Sequence, residues 1–154
     1  MLREVDERLG FSKKLAECFT DYRDEKGIEH EVEALVRQRI YGIALGYEDL
    51  NDHDDLRSDP LLAVLCGKEE PMGSNRKNPR DQGKALAGKS TLKRVELTEE
   101  DADEKDRYKK IKCDGERIRD QLLCARLWPL NIDSSKGTVQ EPRKAPISYP
   151  SEVA

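Results

Sequence analysis

A chain of 154 residues that is 36% hydrophobic and 39% charged can build one domain with a lean core. Its net charge of -4 excludes a general attraction to nucleic acid or anionic membranes, so contact with DNA requires local clusters of lysine and arginine. No apolar run approaches the roughly 20 residues that cross a bilayer, and MLREVDERLG lacks the apolar core of a secretory signal, which makes the cytoplasm the expected compartment.

In chain order, Leu2, Val5 and Leu9 predict a short helix over Leu2 to Leu9, stopped by Gly10. Ser12 is the expected cap of a second helix, Ser12 to Phe19, and both should pack across a longer one. Thr20 to Gly27 is a polar turn that places Asp24 or Glu25 near the start of the long helix, where negative charge suits the helix dipole. That helix runs from Ile28 to Leu45. Ile28, Val32, Leu35, Val36, Ile40, Ile43 and Tyr47 recur at three- and four-residue steps and define its apolar face, leaving Glu29, Glu31, Glu33, Arg37 and Gln38 to water.

The acidic stretch Glu48 to Asp59 offers the carboxylate density of a divalent-cation site but lacks the order of a calcium loop, and capping explains its acids more simply. Asp59 before Pro60 predicts an N-cap for a helix over Pro60 to Leu65 that closes at Gly67. His30 and His53 are expected at the surface or in caps, and no serine or cysteine stands near them in a context that suits a hydrolase triad. Cys18, Cys66, Cys113 and Cys124 lack paired metal-ligand spacing and are expected as reduced, packed thiols.

From Met72 to Arg94 the composition turns basic. Arg76, Lys77, Arg80, Lys84, Lys89, Lys93 and Arg94 face only Asp81, a density that fits equally a solvated loop and a track along a phosphate backbone. Within it, Gly83 to Ser90 spells the G-x-x-x-x-G-K-[ST] pattern of a nucleotide-cradling P-loop. A P-loop hangs between a buried strand and a helix, and SNRKNPRDQ cannot form that strand, so nucleotide binding stands as the alternative reading only. Ser90 is expected to cap a helix over Thr91 to Leu97, and a charged surface helix is expected from Glu99 to Ile111.

Gln38 to Lys68, QRIYGIALGYEDLNDHDDLRSDPLLAVLCGK, closely resembles a signature of bacterial insertion-sequence transposases of the DDE group, whose catalytic domain is ribonuclease H-like. The likeness begins near Leu2 to Gly10, continues over Arg80 to Leu97 and resumes at Gln121 to Gln140. The resemblance implies DNA transposition, with insertion-element ends as partner, Mg2+ as the cofactor of the intact family, and a possible association with itself or with an intact transposase.

The same resemblance implies a deletion. A strand ending in the first catalytic Asp, then a hairpin, should precede Gln121, yet only KCDGERIRD intervenes, and Asp114 is expected to have no buried strand before it. The later catalytic acids have no counterpart before the proline-rich tail. Two-metal phosphoryl transfer requires those carboxylates, so the expectation is an internally deleted, C-terminally truncated fragment with no catalytic residues, no metal site and no cofactor of its own. The expected fold is mainly α, with at most a remnant strand near Leu122 to Leu127. Residues 1–111 are read as a helical transposase N-terminal-like region, 112–141 as a remnant of the catalytic domain and 142–154 as an unstructured tail.

Overall fold

The computed structural model describes residues 1–97, 105 and 110–127. It is mainly helical: α1 (Leu2–Leu9), α2 (Phe11–Ala16), α3 (Val32–Ala44), α4 (His53–Leu56), α5 (Pro60–Leu65), α6 (Lys89–Glu96) and α7 (Gly115–Leu127). Two short strands, β1 (Phe19–Asp21) and β2 (Ile111–Cys113), pair antiparallel with Phe19 opposite Cys113 and Asp21 opposite Ile111. The expected helix over Glu99 to Ile111 lies mostly outside the described residues, and its last residue belongs to β2. The expected tail, 142–154, lies outside them altogether.

α3 is the axis of the core. Val32, Leu35 and Val36 bury against Ala87, Leu92 and Ile111, while Tyr41 buries against Leu62, Ala63, Cys66, Ala85 and Leu86, with Ile40 packed on both groups. The buried run Ala85–Leu86–Ala87 closes the space between them. α5 forms where capping predicts it: Asp59 accepts hydrogen bonds from Leu61 N at 2.7 Å and Leu62 N at 3.2 Å, and Pro60 holds the first helical position.

Several expectations are corrected. α3 starts at Val32, not Ile28, because Asp24 caps a separate 3-10 turn, Glu25–Gly27, and the chain then bends at Glu29 and His30, where Arg23 Nη2 donates to His30 O at 3.0 Å. Ile43 and Tyr47 are partly exposed, whereas Gln38 is buried at 1% exposure. Its amide belongs inside because it mimics a strand: Ala87 N donates to Gln38 Oε1 at 2.9 Å and Gln38 Nε2 donates to Ala87 O at 2.8 Å. His30 and His53 are both buried, not at the surface. A short strand does precede Asp114, with Ile111 buried, and Asp114 caps α7 by accepting from Arg117 N at 3.0 Å. Leu122 to Leu127 are helical: α7 satisfies its backbone internally, with no sheet edge required.

Ser12 is another correction. α2 begins at Phe11 after Gly10, and Ser12 is buried as a donor to Asp6, through N at 2.8 Å and Oγ at 2.5 Å. Tyr41 Oη also donates to Asp6, at 2.8 Å, and Arg37 Nε lies 3.6 Å away, so one carboxylate joins α1, α2 and α3. Burial alone would raise the Asp6 pKa, but the Ser12 and Tyr41 hydrogen bonds and the Arg37 charge outweigh it and hold the carboxyl below its ordinary value.

Two predictions follow from these contacts. Gln38→Leu leaves the Ala87 N–H and carbonyl buried without partners and should cost about 2–4 kcal/mol, read by urea unfolding. Because the folded pKa of Asp6 is depressed, its contribution is present above the unfolded value near 3.8 and is lost as pH falls through the folded value. Asp6→Asn should therefore lower Tm at pH 7 relative to wild type, with the gap closing toward pH 3. An equal gap at both pH values would refute this role.

Candidate nucleic-acid interface

The basic segment is shaped by three attachments. A turn at Gly73 accepts at its carbonyl from Gly83 N at 3.2 Å, Leu86 N donates to Arg57 O at 3.1 Å, and Ala87 is clamped by Gln38. Gly73 has φ +67, and a Cβ there would sit 2.7 Å from both Lys84 N and Ala85 N, so the two arms of the loop touch only because no side chain intervenes. Between the arms, Asn78 accepts from Arg80 N at 3.1 Å and opens a 3-10 turn, Pro79–Asp81.

The seven cations divide into two sets. Arg76 is nearly buried, pairs with Glu29 at 2.9 Å and meets His30 Nε2. Lys84 Nζ donates to Arg80 O at 2.8 Å, and Lys89 Nζ lies 3.4 Å from Asp54 Oδ2 and donates to Asn51 Oδ1 at 3.2 Å. Arg76 is committed to the fold, Lys84 bonds back onto its own loop, and Lys89 is held by an exposed ion pair. Lys77, Arg80, Lys93 and Arg94 are exposed, and Lys77 donates to the carbonyls of Lys26 and Ile28 without meeting a carboxylate.

The P-loop lettering has a different use here. Gly88, not Ser90, is the N-cap of α6, and the Asp54 carboxylate accepts from Lys89 N at 3.1 Å. Asp54 thus occupies the helix end where a nucleotide phosphate would have to bind, and the residues before Gly83 form a turn, not a strand. That backbone hydrogen bond leads the causes that hold the Asp54 carboxyl below its ordinary value. Asp49 and Asp59 are likewise engaged in caps, accepting from Asn51 N at 2.8 Å and from Leu61 N.

His53 sits behind this segment. Gln38 Nε2 donates to its Nδ1 at 3.1 Å, which places the ring proton on Nε2, and burial pushes its pKa down. A Cβ at Gly42 would lie 2.8 Å from the His53 ring, so α3 approaches this imidazole through a glycine. Sequence reasoning missed Gln38, Asp54 and Lys68, the last of which lies near His30. The available signal was a glutamine one helical turn from both Leu35 and Tyr41; Lys68 lies outside the basic run and carried none.

A model of the transposase DDE domain group 1 family matches residues 1–127. No curated protein and no solved structure gives a significant match.

Gly73→Ala should force the loop arms apart, cost about 2 kcal/mol or more and expose the segment to trypsin several-fold faster than in wild type. Unchanged cleavage at Arg76, Lys77, Arg80 and Lys84 would show that the turn does not hold the segment.

Proposed function

The chain belongs to the transposase DDE domain group 1 family, and from that premise we propose that it binds DNA without cutting it. The observation that carries this reading is the exposed set Lys77, Arg80, Lys93 and Arg94 on a segment pinned to the core at Gln38 and Arg57. Cations held by a fixed backbone can meet successive phosphates with little ordering cost, and each neutralised phosphate releases counterions. With a net charge of -4 on the whole chain, this local excess is the surface best suited to the task.

For catalytic silence the proposal rests on how the nearby acids are used: Asp49, Asp54, Asp59 and Asp114 each accept backbone N–H groups as caps. Insertion-element ends are the proposed DNA, and the cytoplasm the proposed compartment; no described helix is long and apolar enough to cross a membrane. A second reading, self-association through the end of the long helix, is favoured by Ile43 and Leu45, each about half exposed.

Fluorescence anisotropy of a labelled duplex tests the first reading. Replacing Lys77, Arg80, Lys93 and Arg94 by glutamine should weaken binding about tenfold or more at low salt and flatten the salt dependence by about 0.9 in log–log slope per lost phosphate contact. Unchanged affinity in the folded variant would sink it, and robust strand cleavage with Mg2+ or Mn2+ would sink catalytic silence. Sedimentation of wild type against Ile43→Lys tests the second reading, with dimer lost in the variant as the expected result.

A further inference from the structure

A groove of about 400 Å³ opens between the approach to α3 and the basic segment, lined by Glu29, Lys68, Glu70, Asn75, Arg76 and Lys77 among others. Behind it the buried His30 ring meets two cations. Nδ1 lies 3.3 Å from Lys68 Nζ, and Nε2 lies against Arg76 Nη1. Burial, followed by the charges of Lys68, Arg76 and Arg23, pushes the His30 pKa down to about 3, so the ring is neutral at pH 7.

A neutral imidazole has one lone pair and one N–H. Arginine does not give up its proton, so Nε2 is the acceptor for Arg76 and Nδ1 carries the hydrogen. That N–H points at Lys68, and a donor there cannot satisfy an ammonium. Arg76 has Glu29 as its counterion at 2.9 Å. Lys68 has no carboxylate within 4.0 Å among the described residues, and the neighbouring Cys66 thiol is pushed up to about 12 by burial and stays neutral. Of the carboxylates on the groove, Glu29 is paired with Arg76, Glu70 accepts from Met72 N at 3.2 Å and Glu69 is exposed, while Glu31 acts on Lys68 only from beyond ion-pair distance. Arg76 Nε is itself buried without a partner. The groove therefore joins a half-buried ammonium with no carboxylate within 4.0 Å among the described residues, the guanidinium of Arg76 and Lys77, whose Nζ meets only backbone carbonyls.

We propose that this groove binds a tetrahedral phosphate oxyanion against Lys68, with Arg76 and Lys77 completing the site. For its source, a DNA backbone phosphate, the proposal rests on the DNA-binding reading; for the anion itself it does not. The site adds Lys68, just after the C-terminal end of α5, to the exposed cations of the basic segment.

The test is thermal unfolding of the full chain in inorganic phosphate against chloride at matched ionic strength, with Lys68→Met and Lys93→Met compared. Phosphate should raise Tm for wild type and Lys93→Met and leave Lys68→Met unmoved. Without phosphate, Lys68→Met should unfold at or above the wild-type temperature, since it removes an uncompensated buried charge and keeps the stem. Equal phosphate protection in all three proteins, or none in any, overturns the site. Duplex anisotropy on the same proteins identifies the source. A loss of affinity in Lys68→Met greater than in Lys93→Met assigns the groove to DNA, whereas Lys68-dependent protection by phosphate with no duplex binding keeps the anion site and removes the DNA-binding reading.

Discussion

The reciprocal pair of hydrogen bonds between the Gln38 amide and Ala87 is the contact on which this structure turns. A backbone passing through a helical core must find partners for its N–H and carbonyl groups, and among the described residues the only strands form a two-stranded sheet elsewhere. Gln38 supplies both partners from one side chain. It lets Ala85, Leu86 and Ala87 pass without regular secondary structure through the apolar clusters, and it fixes the entry to α6. The third bond of the same amide, to His53, ties α4 to the same point.

Charge is handled in the same economical way. Most arginines of the core region are matched within the fold: Arg23 to Asp21, Arg37 to Asp6 and Glu33, Arg39 to Glu96, and Arg76 to Glu29. Such partly buried pairs offset desolvation more than they add stability, and their value lies in fixing which elements meet. Among the cations without a carboxylate partner, Lys77, Arg80, Lys93 and Arg94 gather on residues 77–94, which gives an acidic protein a local basic surface.

Much of the helical plan was legible because it rests on local rules. Leu2 to Leu9 is stopped by Gly10, and Asp59–Pro60 opens α5, as cap and dipole arguments require. The long helix was readable in its centre, where Leu35 and Val36 follow the apolar period. What periodicity could not show was polar burial. Gln38, His30, His53, Asp6 and Ser12 are inside because each finds a partner from 6 to 49 positions away, and such partners are invisible to a rule that sorts side chains by polarity. The basic segment was legible as composition. Its division into structural and outward cations depends on Glu29 and Asp54, from other elements, and so needed the fold.

The glycine that admits His53 against α3 also bears on how the chain is made. Gly42 weakens the helix it sits in by roughly 1 kcal/mol relative to alanine, and Gln38, one turn earlier, gains its partners only from residues 53 and 87. Until Ala87 has been added, 49 residues after Gln38, that amide can bond only to water or to His53, and α3 lacks the backbone partner that it holds in the fold. The contacts that complete it are therefore long-range in sequence, and the axis of the domain and its basic segment share them.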